Sequence, residues 1–277
     1  MTPSPLPLTD SMLHALLPPR SRSSHKGDYG HVLVVGGDHG MAGAVRLVGE
    51  AAARTGSGLV SIATRAAHAA IITAARPELM CHGVEYARDL RLLLQRASVI
   101  AIGPGLGQSA WGSELWAAVL QTRLPLVVDA DALNLLAQES ATRDNWILTP
   151  HPAEAARLLG VTTAQIQVNR LHAVQALQQH YGGVSVLKGM GSLVCAVARP
   201  IAICEAGNPG MSSGGMGDAL TGIIAGLLAQ GLSLADAACA GVYIHAKAGD
   251  IAAQEGERGL LASDLMPHLR TLVNPNQ

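Results

Sequence analysis

"HVLVVGGDHGMAGAVRLVGEAAARTG", residues 31 to 56, decides the fold. The β-branched run His31 to Val35 stops at two glycines, and from Met41 the Ala, Leu and Val positions recur at helical spacing until Gly56. That is strand, glycine turn, helix. The unit recurs: "LVSIAT" (59–64) precedes an Ala-rich helical segment, "ASVIAIGPG" (97–105) precedes "SAWGSELWAAVLQT", "PLVVDAD" (125–131) precedes "ALNLLAQ", and "WILTPH" (146–151) precedes "PAEAARLLG". Continuous apolar strands alternating with helices predict an α/β fold, a mainly parallel central sheet with helices on both faces. "VSVLKG" (184–189), "SLVCAVA" (192–198) and "PIAICEAG" (200–207) read as three short strands forming an antiparallel edge. Helices are expected over 215–230, 234–255 and 262–273, and residues 1–25 form a lead-in with a short helix. With no repeat, charge block or long linker, residues 1–277 are expected to be one domain.

The composition narrows the function classes. Hydrophobic residues make up 49% of the chain and charged residues only 14%, while 31 glycines and no Phe point to an interior built by close backbone approach. A formal net charge of -1 argues against a nucleic-acid surface, which needs clustered Lys and Arg. Cys81, Cys195, Cys204 and Cys239 form no C-x-x-C pair and lie in apolar stretches, as reduced, buried thiols do. The N-terminus lacks a signal-peptide pattern, and the apolar run Ala219 to Ala229 falls short of the roughly 20 residues a membrane span needs. The chain is therefore expected in the cytoplasm, touching neither membrane nor nucleic acid.

Open parallel sheets bind ligands outside the carboxyl ends of their strands, and the glycine-rich and charged motifs fall there. In "GNPGMSSGGMGDALTGIIAGLLAQG" (207–231) a helix starting near Gly215 leaves its first N–H groups unpaired, and Gly214, Gly215 and Gly217 let a phosphate approach them. Asp218, in the first turn, either takes a proton from a hydroxyl attacking that phosphate or merely caps the helix. Lys188 in "VLKGMGS" either neutralises a phosphate or is a solvated strand-end charge. In "LTPHPAE", His151 is placed to orient a substrate; Glu154 either holds a water of Mg²⁺ or complements the helix dipole. Asp129 and Asp131 in "VVDADALN" orient a ligand or the lysine, or serve as caps. No G-x-x-x-x-G-K-[ST] is present, and the glycine turns at 34–45 and 102–107 miss the dinucleotide spacing, though backbone contacts to a nucleotide-like ligand remain open at Gly43, Ala44 and Gly105.

Taken in order, "KGDYGHVLVVGGDHGMAGAV", "IGPGLG", "VVDADALN", "LTPHPAE", "VLKGMGS" and the 207–231 stretch resemble the ADP-dependent NAD(P)H-hydrate dehydratases of the ribokinase-like superfamily, over roughly residues 25–273. The resemblance implies a three-layer ribokinase-like fold. It also implies dehydration of the S form of NADHX or NADPHX with ADP as co-substrate and Mg²⁺ as cofactor. Gly43, Ala44, Gly105 and His151 match positions that hold the hydrate, and Asp218 the catalytic carboxylate. Lys188, Gly189, Met190, Gly191, Ser192 and Gly217 match the adenine-nucleotide site. Many relatives carry an additional epimerase domain, for which this chain is too short, so pairing with a separate epimerase is expected. So is a homo-oligomer, a tetramer being one form. The family's commoner threonine is Met216 here, which bears on nucleotide affinity. A small-molecule kinase of the same superfamily, or a noncatalytic nucleotide sensor, would share the same motifs; accumulation of a phosphorylated product, or binding of ADP without turnover, would mark them.

Overall fold

The computed structural model describes residues 4–276. Ten strands form one sheet: β1 (Leu6–Pro7), β2 (His31–Val35), β3 (Leu59–Thr64), β4 (Met80–Gly83), β5 (Val99–Ile102), β6 (Leu126–Val128), β7 (Trp146–Leu148), β8 (Val184–Leu187), β9 (Ser192–Ala196) and β10 (Ala202–Cys204). The helices are α1 (Asp10–Leu16), α2 (Ala42–Thr55), α3 (Ala66–Ala75), α4 (Arg91–Leu94), α5 (Ala110–Leu120), α6 (Ala130–Gln138), α7 (Pro152–Leu159), α8 (Thr163–Val168), α9 (Arg170–Tyr181), α10 (Met216–Ala229), α11 (Leu234–Ala252) and α12 (Met266–Leu272).

The strand order is β1-β10-β9-β8-β7-β6-β5-β2-β3-β4. From β4 to β8 all pairings are parallel; β9 runs antiparallel to both its neighbours, and β1 lies parallel to β10 at the rim. The three strands expected over 184 to 207 thus do run antiparallel to one another, β8 to β9 and β9 to β10. Buried β8 also joins them to the parallel part, because its partner on the other side is β7. The two-residue β1 and the half-exposed β4 went unforeseen.

The pleat sends Val32 and Val34 to a core with α2, α10 and α11, and Leu33 and Val35 to a core with α5, α6, α7 and α9. The glycines of α10 make the first of these cores tight. A Cβ at Gly222 would strike the Val48 carbonyl of α2, and one at Gly226 would come within 2.7 Å of the Ala52 carbonyl. One turn apart on one face, they let two helix backbones touch. Glycine in "GIIAGLLA" is therefore a packing device.

The three closing helices appear as expected, the second ending in a 3-10 turn, Ala253–Glu255, and the third beginning with one, Ala262–Leu265. All four cysteines are free; Cys195 and Cys204 are buried, whereas Cys81 and Cys239 are only half-buried. No helix among the described residues is long and apolar enough to cross a membrane.

Candidate active site

The chain runs from β2 outward to β3 and β4, then returns to the other side of β2 to continue through β5 to β8. Where the order reverses, the loops after β2 and β5 lead to helices on opposite faces of the sheet, at the carboxyl ends of the strands where open sheets bind ligands. The two loops are tied together: Gly37 N–H donates to the Pro104 carbonyl (3.1 Å) and Asp38 N–H to the Gly105 carbonyl (2.6 Å). A Cβ on Gly105 would lie 2.6 Å from Met41 Cβ and 3.4 Å from Ala44 Cβ, so this loop rests on the N-terminus of α2. Gly43, on the same turn, faces open space. Gly43, Ala44 and Gly105 therefore share one rim.

Farther along the strand ends lies a charged cluster. Asp129 follows β6 and occupies the N-cap position of α6 without capping it. Its buried carboxylate instead accepts from Lys188 Nζ (2.6 Å) and Thr221 Oγ1 (2.9 Å). Burial works against the charge of Asp129, but the Lys188 ammonium and the hydroxyls of Thr149 and Thr221 outweigh it and hold the carboxyl below its usual range. Lys188 is not a solvated strand-end charge: its side chain is 18% exposed, and Glu154 Oε2 stands 3.8 Å away. Burial is outweighed there too, by Asp129 and Glu154, so Lys188 stays protonated. Asp131 points elsewhere and accepts from Gly107 N–H (2.8 Å).

His151 and Glu154 form a reciprocal cap at the start of α7. His151 Nδ1 accepts from the N–H groups of Ala153 (3.1 Å) and Glu154 (3.3 Å), and Glu154 Oε2 accepts from His151 N–H (2.7 Å). A ring nitrogen that accepts carries a lone pair, so the neutral tautomer with its proton on Nε2 is selected. Burial, reinforced by the Lys188 charge, lowers the His151 pKa and favours the same form. The half-exposed ring thus presents an Nε2–H donor. Burial drives Glu154 well above the usual carboxylate range, against the pull of Lys188. Because Lys188 N–H donates to the Pro150 carbonyl (2.9 Å), His151 stands beside Lys188.

The N-terminus of α10 closes the cluster. Gly215 takes the left-handed conformation (φ 91°) as N-cap, and the N–H groups of Gly214, Gly215, Met216 and Gly217 find no acceptor among the described residues. Ser213 Oγ, just upstream, is buried and also without a partner. It is a donor the sequence reading passed over, although the "MSSGG" run carries it. A Cβ on Gly217 would meet Lys188 Nζ at 3.3 Å and Asp129 Oδ2 at 3.4 Å, so Gly217 lets the ammonium reach this turn. Met216 turns into the core, away from the open amides. Asp218 does not cap: no group among the described residues donates to its carboxylate. Burial and the nearby Asp129 charge push its pKa up to about 6, with Lys188 pulling the other way.

In the 188–192 turn Met190 is 99% exposed, and Ser192 Oγ donates to the Gly189 carbonyl (2.9 Å). No group of three or more His, Cys, Asp or Glu side chains able to hold a metal lies among the described residues. Glu154, with one oxygen taken by a backbone N–H and a lysine beside it, does not fit as a direct Mg²⁺ ligand. A cavity of about 620 Å³ lies at the opposite end of the sheet and contains none of these residues. Arg20 there donates to the Gly56 carbonyl at the C-terminus of α2 and to the side-chain Oε1 of Gln230, while Arg54 and Arg76 pair with Glu50.

A family profile described as NAD(P)H-hydrate dehydratase matches residues 32–270. The ADP-dependent (S)-NAD(P)H-hydrate dehydratase of Neisseria meningitidis is 40% identical over 264 residues, covering 92% of this chain and 88% of that protein. The bifunctional NAD(P)H-hydrate repair enzyme of Coxiella burnetii is 60% identical over 261 residues, 94% of this chain and 54% of that protein. The chain spans about half the length of such bifunctional relatives. Among solved structures, the ADP/ATP-dependent NAD(P)H-hydrate dehydratase of Bacillus subtilis, co-crystallised with ATP and Mg²⁺, superposes with a TM-score of 0.87 at 30% identity, covering 97% of each chain. A ribokinase-like superfamily protein of Enterococcus faecalis gives 0.89 at 30% identity, covering 97% of this chain and 95% of that one.

Proposed function

The chain belongs to the NAD(P)H-hydrate dehydratase family, with the ribokinase-like fold, and we propose that it dehydrates the S form of NADHX and NADPHX. These hydrates of the reduced nicotinamide ring return to NADH and NADPH while ADP becomes AMP and phosphate. The names of the Neisseria and Bacillus relatives support the substrates and the nucleotide. The observation that carries the chemistry is Asp218, a carboxylate with no partner of its own at a helix N-terminus whose amides are open.

In this reading Asp218 takes the proton from the ring hydroxyl as that oxygen bonds to the β-phosphorus of ADP and the bond to the AMP oxygen breaks. Lys188 and the free N–H groups of Gly214 to Gly217 stabilise the charge on the transferred group. The carbon–oxygen bond then breaks with the electron pair leaving on phosphate, assisted by the ring nitrogen's lone pair. Loss of a proton from the adjacent ring carbon restores the double bond. Gly43, Ala44, Gly105 and the His151 Nε2–H are assigned to the hydrate, and Lys188 to Ser192 with Gly217 to the nucleotide. Mg²⁺ would arrive on the nucleotide's phosphates and offset their charge, with Glu154 reaching it only through water.

The proposal extends to residues 1–277 acting as one domain, to a cytoplasmic homo-oligomer, and to a separate epimerase. The fusion implied by the name "bifunctional" among the relatives supports that last pairing. The test is recovery of NADH absorbance from chemically prepared hydrate. Recovery should require ADP and release AMP and phosphate in equal amounts. A phosphorylated nucleotide that accumulates would make the chain a kinase instead, and ADP binding without turnover would make it a sensor.

A further inference from the structure

Arg170 opens α9, at a helix N-terminus, where the dipole disfavours a cation. It is also partly desolvated, and burial lowers its pKa. No carboxylate lies within ion-pair reach of it among the described residues. Its guanidinium is instead surrounded by backbone oxygens of the turn after β8. It donates through Nη2 to the carbonyls of Leu187 (3.2 Å) and Gly191 (3.2 Å), and through Nη1 and Nη2 to that of Lys188 (3.4 Å). Gly189 lies against it: a Cβ there would come within 3.0 Å of Nη1, at a φ of +134° that side chains rarely adopt.

A planar fork of donors bonded to carbonyls on both sides of one turn fixes the shape of that turn. The turn begins with Lys188, whose ammonium must meet Asp129 and the first turn of α10. It ends with Ser192, so the whole 188–192 segment hangs from the guanidinium. We infer that Arg170 is a positioning residue that holds Lys188 to Ser192 in the shape required to receive the nucleotide's phosphates and adenosine. The inference rests on the assignment of that turn to ADP.

The test compares Arg170→Gln, Arg170→Lys and Gly189→Ala in the full chain by amide hydrogen exchange, calorimetric titration with ADP and steady-state kinetics. Arg170→Gln should exchange faster over 188–192 and bind ADP roughly tenfold to a hundredfold more weakly, the scale set by misplaced groups, while the Michaelis constant for the hydrate stays unchanged. Arg170→Lys keeps the charge but not the fork and should recover only part of the affinity. Gly189→Ala distorts the turn directly and sets the scale of ADP weakening that a misshapen turn produces, while Arg170→Lys carries the test should the Gln variant fail to fold. Unaltered exchange and ADP affinity in Arg170→Gln would overturn the inference. So would equal weakening of both ligands with faster exchange throughout, which marks a merely structural residue. A wild-type chain that bound no ADP would instead overturn the nucleotide assignment, and the exchange data would still report whether Arg170 holds the turn.

Discussion

Asp129 and Asp218 begin two helices that meet over the same strand ends, close enough for the Asp129 charge to be felt at Asp218. Asp129 is buried, yet an ammonium and two threonine hydroxyls surround it, and its proton is lost more readily than usual. Asp218 is less buried but receives no hydrogen bond, and its proton is held until about pH 6. The same functional group has become a structural anion in one place and a basic, unoccupied acceptor in the other. Burial alone does not decide which; the donors do. An unpartnered, strained charge beside open helix amides is the arrangement expected of a group that takes a proton during turnover.

The contrast can be broken by removing each charge in turn. Asp129→Asn leaves the Lys188 ammonium without its main partner, and unfolding at neutral pH should require about 3 kcal/mol less, the cost of breaking a buried pair from one side. Since the folded pKa of Asp129 is depressed, its contribution is present above the ordinary carboxylate range and lost only as pH falls through the lower folded value. Chemical denaturation at neutral and acid pH checks this; equal stability of variant and wild type at pH 7 would dissolve the distinction.

Asp218→Asn should act in the opposite direction. Its folded pKa is raised, so stability falls as pH rises from 3.8 through about 6 and stays lower above. The Asn variant should therefore be the more stable protein at pH 8, by on the order of 2 kcal/mol, with the gain vanishing in acid. Thermal melts across that range would show the crossover or its absence.

Two smaller effects sharpen the division of labour. Lys188→Met should raise the Michaelis constant for ADP roughly tenfold to a hundredfold, the worth of a hydrogen bond to a charged group, and that for the hydrate less. His151→Ala should raise the Michaelis constant for the hydrate several-fold and also lose about 1 kcal/mol of helix capping. His151→Asn should restore the cap without restoring the ring donor, so stability and hydrate affinity should part company. Because His151 stands next to Lys188, titration with ADP is the necessary control: weaker ADP binding with normal hydrate saturation would transfer His151 to the nucleotide.

Much of this was readable from residue order. Glycine turns after apolar runs announced the parallel sheet and its ligand-bearing edge, and the charged motifs fell at that edge. β4 escaped because "MCHG" is short, half-exposed and has no alternation to betray it. The choice between cap and base at Asp218, between cap and orienting carboxylate at Asp129, and between phosphate partner and solvated charge at Lys188 was closed to the sequence, since it depends on who donates to whom across segments far apart in the chain. Arg170 was invisible for a related reason: its partners are backbone carbonyls 17 to 21 residues away, which carry no side-chain signature.

The central claim, that Asp218 is the base for the ring hydroxyl, is tested most directly by the turnover of Asp218→Asn with hydrate and ADP at saturation, beside the pH profile of the wild type. Turnover should fall by about a hundredfold or more with ADP affinity retained, and the wild-type rate should decline in acid with a midpoint near the raised pKa of Asp218, about 6. A folded Asn variant turning over at nearly the wild-type rate, with the acid limb unchanged, would contradict it.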